Sequence, residues 1–203
     1  MARNMQPIVK RCRALGISPA VMGYTDKSKS GSTKRNPGAN KRAKKSEYAM
    51  QLNEKQKVKF IYGIQEKQFR AYYEKAAKAP GITGEVLLTT IENRLDNVIF
   101  RLGLAKTRRE ARELVSHGHY TVNGKVVNIP SFLVKPGMVI GVKESSRSIE
   151  RIKGFMEDDA FRGLPKWLSY DANKGEGTVL AMPERDDIDF EVEEHLIVEL
   201  YSK

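Results

Sequence analysis

The chain has 203 residues, of which 40% are hydrophobic and 8% aromatic, enough for one or two domains with modest cores and too much for an obviously disordered protein. A net charge of +11 points to a polyanionic partner, nucleic acid ahead of an anionic membrane surface. The single cysteine, Cys12, excludes a disulfide framework and a cysteine-type zinc site, and no apolar run approaches the length of a membrane span.

The charge is arranged in poles. Residues 1–60 carry a net +12, residues 61–93 are neutral, residues 94–153 carry +7 and residues 154–203 carry −8. The two basic blocks are candidate RNA surfaces, and the acidic end is not one.

The first fifty residues are short of large apolar side chains and rich in Lys, Arg, Ser, Gly and Pro, with a dense cluster at Lys41, Arg42, Lys44 and Lys45. Alone, such a segment buries too little surface to stay ordered. Its charges repel one another until phosphates neutralise them, which predicts an arm that is loose in the free protein and ordered on RNA. The alternative is a flexible solubilising tail. No apolar stretch of the targeting-peptide kind follows Met1, Ala2 and Arg3.

From Asn53 to Ala79 the spacing predicts the longest helix, with Val58, Ile61, Tyr62, Phe69, Tyr72, Tyr73 and Ala76 on one stripe and an end at Pro80 and Gly81. Phe69, Tyr72 and Tyr73 read as core rather than as base-stacking platforms, while Lys55, Lys57, Lys59 and Lys67 are free to meet phosphate. Gly63 inside this helix costs about 1 kcal/mol relative to alanine. A close approach of backbone or RNA accounts for it, or chance does.

The stretch from Arg94 to Lys143 is the most informative. Leu87, Leu88, Ile91, Leu95, Val98, Ile99 and Leu102 form the buried stripe of one helix, with Arg94 and Arg101 together at its edge and Asp96 on the other side. A second helix starts at Thr107, followed by Glu110 at capping-box spacing. At about 100° per residue, Ala111, Leu114 and Val115 share one sector, Arg108, Arg109 and Arg112 the next, and Glu110 and Glu113 the one beyond. Gly118 closes it. Asn123 and Gly124 then supply the positive φ angles of a type I′ hairpin between Tyr120 and Val127, and Pro136 and Gly137 turn into a third strand, Met138 to Lys143. Two amphipathic helices and a small antiparallel sheet, with few of the five arginines facing the core, read as a compact RNA-binding module. An ordinary solvated face is the alternative.

Toward the C-terminus, Trp167 reads as a core anchor, and the acidic turns around Asp186, Asp187, Asp189 and Glu191 are either solvated or opposed to a basic protein neighbour. His117, His119 and His195 have no matching carboxylate or cysteine constellation, so neither a catalytic nor a structural metal is expected. The glycine-rich stretch at Gly31 lacks the spacing of a phosphate loop. His117 and His119 either contact RNA or cap the helix end.

These residues carry a resemblance over the whole chain. The Met1-Ala2-Arg3 start, the run from Leu52 to Lys59, Ile61 to Gly63, Gln68 to Arg70, Tyr72 and Tyr73, Arg94 to Val98, Glu110 to Arg112, Leu114 to His117, Val122 to Gly124, Val126 to Ile129 and the run from Glu194 to Lys203 resemble a bacterial-type small-subunit ribosomal protein, the fourth of that series. Some relatives carry several cysteines in the N-terminal arm that hold zinc. This chain keeps only Cys12 and resembles the cysteine-poor branch, for which no metal or other cofactor is implied.

The resemblance implies an α+β fold: a mostly helical first domain completed by C-terminal residues, with an inserted small RNA-binding domain of two helices packed on a short antiparallel sheet. In this sequence that gives a basic N-terminal arm at 1–50, the first part of the helical domain at 51–93, the inserted domain at 94–153 and a completing segment at 154–203. It also implies a structural, non-enzymatic constituent of the cytoplasmic ribosome that binds the five-prime domain of the small-subunit ribosomal RNA and nucleates assembly. Such proteins border the path by which messenger RNA enters, touch the fifth protein of the small subunit at an interface tied to accuracy, and in several cases repress their own messenger. By position, Arg94, Arg101, Arg108, Arg109, Arg112 and Lys125 match the RNA face. The remaining RNA-contact candidates are Arg3, Lys10, Arg11, Arg13, Lys41, Arg42, Lys44, Lys45, Lys55, Lys57, Lys59, Arg70 and His117. The cluster from Lys41 to Lys45 falls near the messenger path, although its local spacing differs from that of relatives.

Two other classes compete. The same small domain rides on RNA-modifying enzymes, which need a separate catalytic domain for which this chain has no room. Free-standing binding modules for stalled ribosomes are often little more than the domain itself, whereas here about 90 residues precede it and about 50 follow.

Overall fold

A computed structural model describes residues 7–24, 46–157, 163–172 and 174–202. Arg3, Lys41, Arg42, Lys44 and Lys45 lie outside the described residues. The described part of the basic arm, residues 7–24, is packed against the rest of the chain. Helix α1, Ile8–Leu15, and the 3-10 turn Pro19–Met22 send Cys12, Leu15, Ile17 and Met22 into a core. These few apolar side chains at helical spacing are enough to dock a short basic helix on a larger body.

Helix α2, Glu47–Tyr62, starts where the Ser46 hydroxyl accepts the Ala49 N–H at 3.3 Å and ends at Gly63. Gly63 takes φ 63°, and the Ile64 N–H reaches back to the Lys59 carbonyl at 3.0 Å. That left-handed cap breaks the single helix expected over 53–79, because a residue without Cβ adopts it at no steric cost. Helix α3, Glu66–Ala76, follows and buries Phe69 and Tyr72, while Tyr73 stacks on Tyr201 with ring centroids 4.7 Å apart.

The stripe from Leu87 to Leu102 is buried throughout, but on two helices rather than one: α4, Thr83–Glu92, and α5, Leu95–Arg101. The break falls where the loop before the third strand offers better acceptors. The Leu95 N–H donates to the Phe132 carbonyl at 2.8 Å and the Asp96 N–H to that of Pro130 at 3.2 Å, leaving the α4 ladder. Helix α6, Arg108–Ser116, is capped by the Thr107 hydroxyl, which accepts the Glu110 N–H at 3.2 Å. The return half of the expected capping box lands one residue earlier, on the Lys106 N–H, at 3.1 Å.

Strands β1, Tyr120–Val122, and β2, Lys125–Val126, form the expected hairpin, with Asn123 at φ 49° and Gly124 at φ 76°. Strand β3, Val139–Val142, pairs with β1, and α7, Glu150–Glu157, packs Ile152 beneath. The sheet does not stop there. Strands β4, Leu168–Asp171, and β5, Glu176–Val179, extend it in the antiparallel order β2-β1-β3-β5-β4. Gly177 lies where any Cβ would come within 2.5 Å of the Leu102 side chain, so β5 presses against α5.

Two cores result. One gathers α1 to α4 with Ile188, Val192 and Ile197, the last on helix α8, Glu194–Ser202. The other gathers α5, α6 and the sheet around Ile99, with Tyr120, Ile140, Trp167 and Val179. The C-terminal segment expected to complete the helical domain as a whole is therefore divided. Residues 168–179 hold strands β4 and β5 of the sheet, and among the described C-terminal residues the helical core takes its side chains from Ile188 onward. Burying Ile197 completely contributes roughly 1.5–3 kcal/mol to closing the helical core.

Candidate nucleic-acid interface

The five arginines expected on the RNA face separate into two kinds. Arg94 is fully buried, and the side chains of Arg101 and Arg108 are almost so. Placing Arg94 and Arg101 at an exposed helix edge is thus corrected: scattered carboxylates draw both inward, where an unpaired guanidinium would be prohibitively costly. Arg94 donates from Nε and Nη2 to Asp96 at 3.0 and 2.7 Å and from Nη1 to the Tyr72 hydroxyl at 2.8 Å. Burial opposes its charge, but Asp96 and the Tyr72 hydroxyl together hold its pKa above the ordinary value.

Glu92, 1% exposed at the end of α4, is the centre of a second group. Its Oε1 accepts the Tyr62 hydroxyl and Arg101 Nη2, both at 2.7 Å, and its Oε2 accepts the Asn97 side-chain amide. Asn97 in turn accepts Arg108 Nε at 2.8 Å, and Arg108 Nη1 donates to the Val21 carbonyl. Arg101 also pairs with Asp189 at 3.0 Å. Burial lowers the Arg101 pKa, yet Glu92 and Asp189 more than compensate and raise it. Arg108 lies over the rings of Phe100 and Tyr62, 4.3 and 5.2 Å from their centroids. Its pKa is lowered, by burial first and then by the neighbouring charge of Arg101.

The lysines of α2 are likewise engaged within the protein. Lys55 and Lys59 pair with Glu66 at 3.0 and 2.5 Å, and Lys57 pairs with Glu54 at 2.7 Å, with all three lysine side chains less than a fifth exposed. The reading of these three lysines as free is corrected: α3 brings Glu66 back across Lys55 and Lys59 once Gly63 has turned the chain, and Lys57 reaches Glu54 on its own helix. Arg112 donates to the Gly63 carbonyl at 2.8 Å, which gives that glycine a protein neighbour.

The outward cations lie elsewhere. Lys10 and Arg13 are exposed and Arg11 half-exposed on α1. Arg109, half-exposed at the start of α6, is close enough to α1 for its charge to act on the Cys12 thiol, whose pKa burial raises. Lys106, exposed just before α6, is not among the residues that the sequence singles out. At the far end of α6, His117 is exposed, its ring parallel to that of His119 at 6.1 Å, and Lys125 is exposed on β2. His119 Nδ1 is 3.0 Å from the Ser146 hydroxyl, so the hairpin end of α6 is tied to the protein by one histidine and open at the other. Arg70 is exposed on α3, paired with Glu74 at 3.1 Å. Helix α6, with its 9 residues, is a bar about 13 Å long between the α1 cations and the hairpin cations.

Two family models match adjoining stretches of this chain. The one described as ribosomal protein S4/S9 N-terminal domain matches residues 3–92, and the one described as S4 domain matches residues 93–140. The chain is 54% identical over its full length to the small ribosomal subunit protein uS4 of Agathobacter rectalis, all of which is covered. The chain belongs to the ribosomal protein S4 family. It is also 52% identical to the uS4 of Fusobacterium nucleatum and 53% identical to that of Halothermothrix orenii, each again covered completely on both sides. The family's two domains meet between Glu92 and Asn93, at the carboxylate that gathers the buried network. Among the described residues no group of three or more His, Cys, Asp or Glu side chains could hold a metal ion, and no helix is long and apolar enough to cross a membrane.

Proposed function

We propose that this chain is a structural constituent of the small ribosomal subunit that binds the five-prime domain of its ribosomal RNA and nucleates folding there. Its full-length similarity to proteins named small ribosomal subunit protein uS4 carries this reading. The chain is a structural protein rather than an enzyme, as its relatives' names indicate. Exposed cations on α1, at both ends of α6 and on the hairpin neutralise phosphates where RNA helices crowd together, and so lower the repulsion that resists the junction's fold. Selectivity then comes from shape rather than from base sequence.

Contact with the fifth protein of the small subunit, a place beside the incoming messenger RNA and a contribution to accuracy belong to the same proposal. The net −8 over residues 154–203 supports a basic protein neighbour on that side, and the cluster from Lys41 to Lys45 supports a polyanion near the arm. Repression of its own messenger would use the same RNA face.

The test is quantitative binding of the purified chain to a transcript of the five-prime domain, against an unrelated structured RNA of equal length, across a salt series. Tight binding that favours the ribosomal transcript at physiological salt is expected. Equal and steeply salt-sensitive binding to both would overturn the proposal and leave a generic basic RNA binder.

A further inference from the structure

The outward cations sit on two separately cored bodies. Lys10, Arg11 and Arg13 belong with α1 on the helical body, while Arg109, His117 and Lys125 ride on α6 and the hairpin. A rigid RNA junction meets both sets at once only if their separation is fixed. The Glu92 network spans the seam between the bodies. From the helical side it takes Tyr62 on α2, the Val21 carbonyl beside α1 and Asp189 before α8; from the other side it takes Asn97, Arg101 and Arg108. Its hydrogen bonds are charge-assisted and directional, and most of its members are withdrawn from water, so it specifies one arrangement where apolar contact alone would tolerate several.

We propose that Glu92, through Arg101, Asn97 and Arg108, is a positioning group that sets the spacing of the two basic faces and thereby the protein's selectivity for RNA shape. Arg101 and Arg108 act as ties and not as phosphate contacts. This rests on the reading of the chain as a ribosomal RNA binder, and adds to it the source of its selectivity.

Two variants test it. Glu92→Gln removes the central charge. Asp189→Asn weakens the network at its solvent-exposed end, where the Asp189 side chain is 48% exposed and lies outside both cores. Both are compared with wild type for binding to the five-prime-domain transcript and to the unrelated structured RNA across the same salt series, with circular dichroism reporting the fold. Glu92→Gln is expected to lose roughly tenfold in affinity for the ribosomal transcript and to keep wild-type affinity for the unrelated RNA, because every exposed cation remains. The salt slope stays the same on both RNAs. Asp189→Asn shifts the ratio in the same direction by a smaller factor, and carries the test if Glu92→Gln does not fold.

A folded variant that keeps the wild-type ratio, or that loses affinity for both RNAs in parallel, would overturn the proposal. So would a smaller salt slope in a folded Arg101→Gln variant, which would make that side chain a phosphate contact. A wild-type chain that does not distinguish the two RNAs would instead defeat the underlying reading, and is recognised before any variant is made.

Discussion

Arg94 and Asp96 grip each other through two hydrogen bonds, at 3.0 and 2.7 Å, with the guanidinium 0% and the carboxylate 5% exposed. They are two residues apart in sequence and straddle the first residue of α5, just past the break that ends α4. The pair therefore fastens the corner where one domain passes into the other. Asp96 also accepts the Asn97 N–H at 2.9 Å, which leaves it costly to strand.

Arg94→Met is expected to cost about 3–5 kcal/mol, because it abandons a buried carboxylate. Adding Asp96→Leu should recover part of that loss. Urea denaturation of the two single variants and the double variant measures the coupling. If the double variant is as unstable as the sum of the singles, the pair is not the fastening described here.

Gly23 has φ 81° where a Cβ would run into the Lys106 carbonyl and come within 3.0 Å of the Phe100 ring. Gly16 has a comparable φ of 71° with nothing within 4 Å. Gly16→Ala should therefore cost about 1–2 kcal/mol from backbone strain alone. Gly23→Ala should cost more, because backbone must also move. Thermal melts of the two side by side decide it: equal shifts in Tm would mean that the Lys106 loop yields freely.

Glu66 accepts hydrogen bonds from Lys55, Lys59 and the Tyr201 hydroxyl. Burial raises its pKa, but these partners prevail and hold it at about 2, below the ordinary 4.5. A carboxyl with a depressed folded-state pKa contributes stability that is fully present above its unfolded pKa and is lost as pH falls from there toward 2. Glu66→Gln should flatten the fall in stability between pH 4.5 and 2, while the wild type shows it in full. Unfolding free energies at a series of acidic pH values test this, and identical slopes would remove Glu66 from the acid response.

Arg109→Gln and Lys125→Gln should each reduce the slope of log K against log salt by about 0.7–0.9, with the fold unchanged. Arg94, although equally basic by sequence, should show no such reduction in a folded variant. A slope unaffected by the Arg109 and Lys125 changes would take α6 and the hairpin out of the RNA interface.

Much of both cores is legible from spacing alone. The stripe from Leu87 to Leu102, the cap at Thr107 and the Asn123-Gly124 turn are local patterns, and Phe69, Tyr72 and Trp167 are buried as their size and placement suggest. The fate of the arginines is not legible. Periodicity assigns a side chain to a sector but says nothing of a carboxylate arriving from elsewhere, and Arg101 meets Asp189 across 88 positions of sequence. The sign of a missed centre is present in Glu92, an acid set between Ile91 and Leu95 of the buried stripe and followed by Asn93 and Arg94. Strands β4 and β5 are 4 residues each, too short for alternation to announce them, and two glycines bracket Glu176 between them. The split of the expected 53–79 helix needs only the left-handed reading of Gly63, which its position in mid-helix conceals.

The C-terminal chain crosses from the sheet back to the helical core, where α8 lies along α2 and the Glu193 N–H donates to Glu54 at 3.2 Å. Val58 and Ile61 of α2 share one core with Ile197 of α8, and the Glu193–Glu54 hydrogen bond between these stretches joins residues 139 positions apart in sequence. That is a long sequence separation for a helical fold, and its loop-closure entropy opposes the contact until the core forms. Helix formation in α2 is local and fast while its docking with α8 is not, so folding of the helical core is expected to be paced by that distant contact.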